Sequence, residues 1–328
     1  MIERFGMLKT PLTELWGLRY PIVNAPMTPA AGGALARAVS DAGGLGMIGV
    51  NEAWAAADIE LHCRTARTDD PRRKFGIGFI GWALERQPDL LDAAIKQCPH
   101  LISISFVDPA PYVAKVHANG ILLAAQVQSR ADAELALRAG VDVLIAQGTE
   151  AGGHTGDVST LLILQIVLGL TTQPILSAGG IATAPGLAAV LAAGAAGAWI
   201  GTPFLLAAEA DVSEAARARI SAADETQTIL TGLFDNLQHL PWPKRYRGRV
   251  LRNAFATRWH GHEAEALADS ALLEAYREAK RTGNYDIAHI PAGQSAGLLS
   301  GTVTAANVVQ GLGDGAERLL RRRMTELL

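Results

Sequence analysis

The chain has 328 residues, 49% of them hydrophobic, and a formal net charge of −3. That is enough apolar chain for a large core in one domain, and the mild acidity excludes the basic face that nucleic-acid binding needs. The longest apolar stretch, 181–204, is broken by Gly, Pro and Ala and has the character of buried strands and helices, not of a membrane span.

Residues 1–10 carry Glu3, Arg4 and Lys9 without an apolar run, so no signal peptide is read there. Cys63 and Cys98 lie far apart and without metal spacing, so each reads as a buried or idle thiol. The expectation is a soluble cytoplasmic protein whose partner is a small molecule, with no nucleic acid and no membrane.

Short apolar runs alternate with Ala-rich helical stretches. The expected strands are 22–25, 46–49, 75–79, 101–106, 121–125, 143–146, 174–177 and 198–200. Between them, 33–41, 54–67, 88–97, 109–119, 131–139, 160–168 and 184–193 have helical character. Buried parallel strands read as continuous apolar runs, and Gly120, Gly140 and Gly194 sit where helix C-caps lead into the next strand. Eight strands with seven intervening helices are the count of a (β/α)8 TIM barrel. After Phe204 the pattern changes. Residues 210–286 look helical and charged, with a Pro- and Arg-rich loop at 240–249. The predicted organisation is a barrel over 1–204, a helical insertion packed on it over 205–289, and a Gly-rich loop with a C-terminal amphipathic helix from Gly315 completing the barrel domain over 290–328. The basic run Arg321–Arg323 reads as a solvated helix end.

Active sites of this fold lie at the C-terminal ends of the strands, with phosphate bound after strands 7 and 8. Ser177-Ala178-Gly179-Gly180-Ile181 follows the seventh strand and Gly201-Thr202-Pro203 the eighth. Glycines let backbone N–H groups approach an anion, and a following helix adds positive potential; Thr202 adds a hydroxyl. Singly these glycines read equally well as tight turns; paired at the two expected strand ends, they point to a phosphate site. After the sixth strand, Gln147-Gly-Thr-Glu-Ala-Gly-Gly-His154 places an imidazole in a Gly-rich loop, where it suits a general base or is an idle loop histidine. Gln147 suits a planar heterocycle or a structural amide. The turn Asn24-Ala25-Pro26-Met27-Thr28-Pro29 is held extended by its prolines and can offer the backbone of Ala25 and Met27 to a ring, or is simply a rigid strand exit.

Two tempting matches are weak. Gly44-Leu-Gly-Met-Ile-Gly49 fits G-x-G-x-x-G but follows a helix instead of opening one. His260-Gly-His262-Glu263 lacks a third ligand cluster and reads as a solvated loop. Among the aromatics of the insertion, Phe234, Trp242, Tyr246 and Trp259 read as packing first and pocket lining second.

Three segments, Gln147–His154, Ser177–Ile181 and Trp199-Ile200-Gly201-Thr202, closely resemble the nitronate monooxygenases. The resemblance extends to 21–27, 41–46 and Pro291-Ala-Gly-Gln-Ser-Ala-Gly297, and covers most of the chain outside about 205–285. The family is a group of FMN-dependent TIM barrels that also holds enoyl-acyl-carrier-protein reductases and NADH:quinone reductases. The resemblance implies FMN as cofactor and a nitronate or nitroalkane with O2 as substrates. It makes His154 the catalytic residue, Gln147 and Gly152 flavin contacts, and Gly179, Gly180 and Trp199–Thr202, with Ser177 at the turn, the phosphate end. Met27 matches a residue near the flavin ring, and Gln126 a polar or basic flavin contact. Two departures stand out: Gly78 where many relatives have Asn, and Gln126 where some have Lys. The implied activity is oxidation of alkyl nitronates to a carbonyl compound and nitrite, with an NAD(P)H-dependent quinone or enoyl-thioester reductase as the alternative. Oligomeric state stays open, a homodimer being one candidate.

Overall fold

The computed structural model describes residues 8–68, 70 and 72–327. Most of the N-terminal stretch read for a leader therefore lies outside the described residues, as does Leu328 at the expected end of the last helix.

Eleven strands occur among the described residues: β1 (Ile22–Asn24), β2 (Gly46–Gly49), β3 (Phe75–Ile80), β4 (Leu101–Ser105), β5 (Leu122–Val127), β6 (Val143–Gln147), β7 (Gly153–Thr155), β8 (Ile175–Ala178), β9 (Gly197–Ile200), β10 (Thr228–Thr231) and β11 (Arg247–Leu251). Eight of them form one parallel sheet in the order β1-β9-β8-β6-β5-β4-β3-β2. A parallel bridge from Val23 to Leu45 closes the ring. The buried Asn24 completes that closure: its Oδ1 accepts from Met47 N–H at 2.7 Å and its Nδ2 donates to Met47 O at 3.0 Å. The fold is the (β/α)8 barrel that the sequence predicts, with all eight expected strands present and shifted by a residue or two at most.

Side chains alternate across the barrel wall. Val23, Met47, Leu101, Ala124, Ile145, Leu176 and Trp199 fill the interior, and Leu12 and Trp16 join them from the helix Pro11–Trp16. That helix plugs the N-terminal end: Gly197, at the start of β9, has no room for a Cβ because Leu12 Cδ2 would lie 2.7 Å away. Outward-facing Ile22, Ile77, Ile102, Leu144 and Ile175 pack under the surrounding helices. At the C-terminal end the inward positions are small, namely Ala25, Gly49, Gly78 and Ala178, so the interior opens into a cavity instead of closing over.

The region after Phe204 differs from the helical insertion expected. Helices Glu214–Ala222, Leu233–Leu237, Ala254–Trp259, Glu263–Ala268 and Ser270–Thr282 are present, but β10 and β11 pair antiparallel and β11 pairs with β7. The end of the Pro- and Arg-rich stretch 240–249, read as a loop, belongs instead to β11, where Arg249 is buried and satisfied: its Nε donates to Thr149 O at 2.7 Å and its Nη1 to Thr228 Oγ1 at 3.1 Å. The last helix is also longer than expected, Ala305–Leu327. Its Gly313 and Gly315 are not breakers. A Cβ there would lie 2.0 Å from Tyr20 and 2.5 Å from Ala184, so glycine is what lets the helix lie against them. Among the described residues no helix is long and apolar enough to cross a membrane.

Candidate active site

A cavity of about 600 Å³ opens at the C-terminal ends of the barrel strands and extends under the insertion. Its floor and cradle carry Ala25, Met27, Gln126, Gln147, Gly152, Gly179, Gly180, Trp199, Gly201 and Thr202, and His154 stands on its wall. Two predicted residues are not brought there. Ser177 and Ile200 do not line the cavity, because strand alternation turns them outward while their neighbours Ala178 and Trp199 face in. Ser177 Oγ is buried without a hydrogen-bond partner among the described residues.

The cradle is built from backbone. Gly179 (φ 104°) and Gly180 (φ 71°) adopt left-handed conformations that favour glycine. Gly152 packs on the late motif: a Cβ would lie 2.6 Å from Gly293 N. Thr202 Oγ1 accepts from Gly293 N–H at 3.0 Å, which leaves its own proton to donate. The loop between β6 and β7 is anchored from below by Glu150, whose carboxylate accepts from Thr160 N–H and Oγ1 at 2.9 and 2.8 Å.

Two amides point across the floor. Gln147 Oε1 accepts from Gln128 Nε2 at 2.7 Å, and Gln126 Oε1 accepts from Ser105 Oγ at 3.3 Å. With both oxygens engaged, each residue's NH2 group is the end left for a bound heterocycle. Gly78 has no space for any side chain: a Cβ would lie 2.3 Å from Pro26 Cγ and 2.8 Å from Ser103 Oγ.

His154 lies on β7 opposite Gly248 of β11. Its Nε2 meets both carboxylate oxygens of Asp235, at 2.9 and 3.0 Å. The carboxylate is an acceptor, so Nε2 carries the proton and Nδ1 the lone pair. Trp242 stacks on the imidazole with ring centroids 3.4 Å apart and planes 8° apart. Phe106 and Trp82 stand edge-on to Trp242 at 5.0 and 5.7 Å. Phe106 sits at φ 71°, a strained conformation for a side chain at a cavity rim. Of the four insertion aromatics read as packing or pocket lining from sequence, Phe234 and Trp242 line the cavity, while Tyr246 packs behind Phe106 and Trp259 against the insertion core.

Asp235, Phe106 and His289 were not singled out from sequence, and Trp242 was read as packing first and pocket lining second. Asp235 lies eighty-one residues beyond its partner and no motif surrounds it. The one available signal was the aromatic content of the insertion. His260 and His262 lie apart from the cavity and pair locally with Glu263 and Glu265.

The geometry has counterparts among known proteins. Residues 84–315 match the sequence model of the nitronate monooxygenase family. A 5-hydroxy-7a-methyl-1-oxo-octahydro-1H-indene-4-carboxyl-CoA dehydrogenase of Mycobacterium tuberculosis is 34% identical over 239 residues; the match covers 71% of this chain and spans 65% of that relative's length. A nitronate monooxygenase of Pseudomonas aeruginosa is 28% identical over 336 residues, covering 87% of this chain and 93% of the relative. Among solved structures, FabK of Thermotoga maritima superposes with a TM-score of 0.84 at 28% identity over 98% of this chain and all of that one. On the family match, which takes in β4 through the first half of the last helix, the chain belongs to the nitronate monooxygenase family.

Proposed function

We propose that the chain is an FMN-dependent oxidoreductase that oxidises alkyl nitronates to a carbonyl compound and nitrite, with O2 as co-substrate. The observation that carries this reading is the Asp235-held imidazole of His154 on the wall of the glycine-built cavity, in a chain of this family.

The residues fit a flavin mononucleotide. Gly179, Gly180, Gly201 and Thr202 form a backbone-rich cradle at the two strand ends where this fold takes phosphate, and Cβ atoms would fill part of it. Gln126 and Gln147 present amide NH2 groups to the floor, where a ring with acceptor edges would lie. When bound, the flavin supplies the two-electron acceptor.

The protein's own contribution is position and proton handling. Asp235 fixes the imidazole's rotation and tautomer, which leaves Nδ1 to take the α proton of a neutral nitroalkane. A nitronate has already lost that proton, so there the ring serves to orient the substrate. Trp242, Phe106 and Trp82 wall the cavity with apolar surface and exclude water.

A second reading, redox chemistry on a thioester, is favoured by the 34% identity to a carboxyl-CoA dehydrogenase and by the size of the cavity. Anaerobic mixing of the flavin-loaded protein separates the two. Bleaching by an alkyl nitronate and not by NADH or NADPH is expected; rapid bleaching by a nicotinamide alone overturns the nitronate reading.

A further inference from the structure

A second imidazole lines the same cavity. His289 follows the insertion's last helix, Ser270–Thr282, and precedes the bridge that ties Pro291 to Val250. Its Nδ1 lies 2.8 Å from the Tyr276 hydroxyl. One ring face is covered by Phe234, with centroids 4.8 Å apart and planes 25° apart. Phe234 and Asp235 are consecutive residues of the short helix Leu233–Leu237. That helix therefore positions both imidazoles, His289 through Phe234 and His154 through Asp235.

The Tyr276 phenol is buried, and its pKa is raised, so it remains protonated and donates. Nδ1 of His289 accepts that proton. The neutral ring must then carry its own proton on Nε2, the edge opposite the Tyr276 bond. The groups facing this ring keep it neutral. Burial is the largest effect, followed by the charge of Lys280 and the repulsion His154 would add once protonated, and together they push the pKa down to about 3. Lys280, whose ammonium is hydrogen-bonded to the Gln238 side chain, also lines the cavity.

We infer that His289 is a substrate-binding residue that donates a hydrogen bond from Nε2 to an anionic oxygen of the substrate, with Tyr276 as the positioning residue that fixes its tautomer. The two imidazoles then divide the work: His154 presents a lone pair and His289 presents an N–H. A planar, two-oxygen anion suits that donor with Lys280 nearby, and a nitronate is such an anion. The inference deepens the nitronate reading and rests on it for the substrate class. The donor itself would serve any planar oxyanion.

A carboxylate is isoelectronic with the nitronate group and does not react, so butanoate is the probe. Isothermal titration of the flavin-loaded protein with butanoate is expected to show binding that weakens about tenfold or more in His289→Ala. His289→Gln, which keeps an N–H donor, is expected to recover most of that loss. Tyr276→Phe keeps the imidazole but frees its tautomer, and a loss of about threefold is expected. Unchanged binding in His289→Ala, a Gln variant no better than Ala, or no butanoate binding to the wild type each overturns the inference. Should His289→Ala fail to fold, Tyr276→Phe carries the test, and an unchanged Kd there overturns it. If nicotinamide and not nitronate bleaches the flavin, the nitronate reading falls, while the butanoate series still reports on the His289 donor.

Discussion

Asp235 grips His154 Nε2 through both carboxylate oxygens, at 2.9 and 3.0 Å, from a short helix eighty-one residues further along the chain. A two-oxygen grip fixes the ring's rotation as well as its tautomer, and it supports the positive charge that forms when Nδ1 takes a proton. Asp235→Asn keeps an acceptor of similar shape but removes that charge. Turnover of a neutral nitroalkane such as nitroethane is expected to fall by about a hundredfold. Turnover of preformed ethyl nitronate should fall far less, because no proton remains to be removed. Oxygen uptake with the two substrates checks this, and His154→Asn should show the same split. Equal losses on both would remove the base role.

Gly179 makes a separate, sharper prediction about the cradle. At φ 104°, with Thr160 Oγ1 2.8 Å and Gly148 O 3.0 Å from where a Cβ would stand, alanine is both strained and crowded. Gly179→Ala is expected to weaken FMN retention by about tenfold or more and to cost about 1–3 kcal/mol of stability. Gly301→Ala is the control, since it shares a positive φ (67°) but has nothing within 4 Å. Flavin fluorescence released on dilution, measured beside denaturant midpoints, distinguishes a lost cradle from general strain. A Gly179 variant that holds flavin as the Gly301 variant does would refute the assignment.

Acid sensitivity should come in part from the far end of the barrel. His100 is half-buried, edge-on to Trp16 at 5.1 Å, and its buried Nε2 lacks a partner among the described residues. Burial first, and the charge of Lys74 second, push its pKa down to about 4. The unfolded chain takes up that proton near pH 6.5 while the native state resists until about pH 4. Between those values the unfolded state binds more protons, so stability falls as pH falls, and below about pH 4 this contribution is spent. His100→Phe keeps the shape and removes the titration. Its urea midpoint should exceed that of the wild type at pH 5 by more than at pH 7, a difference worth about 2 kcal/mol at most. A variant with the wild-type pH slope would show that His100 does not contribute. His289, held near pKa 3, leaves a residual slope of the same sign.

What was legible in the sequence follows from which forces act locally. The barrel strands are buried on both faces, so each is an apolar run, and all eight could be read within a residue or two. That His154 and the paired glycines would meet at one cavity was legible because strand ends in this fold have known uses. The insertion was not, since its sheet depends on partners far away: Arg247–Leu251 pairs with Gly153–Thr155 and Thr228–Thr231, and Arg249 looks like a solvent residue until Thr149 and Thr228 receive it. Asp235 and His289 acquire meaning only through that packing. The last helix was misplaced by ten residues for a related reason. Gly311, Gly313 and Gly315 argue against a helix by propensity, yet Tyr20 and Ala184 demand small residues at the latter two.

The Gly78 departure also becomes physical once Pro26 is seen beside it. Pro26 folds over the ends of β2 and β3; its carbonyl oxygen would lie 2.5 Å from a Gly49 Cβ, and its ring carbons 2.3 and 2.5 Å from one on Gly78. Pro26 and Gly78 therefore fill one volume between them, and a side chain at position 78 requires a smaller residue at 26. Gly78→Ala alone is expected to cost about 1–3 kcal/mol from overpacking. Pro26→Gly alone should also destabilise, by removing a packed ring and loosening the turn. Because the two changes act on the same space, the double variant should be more stable than the sum predicts, by about 1 kcal/mol or more. A double-mutant cycle by urea denaturation measures that coupling directly. Additive losses would mean that Pro26 does not take the place of the missing side chain, and that the turn 25–27 is held where it is by something other than Gly78.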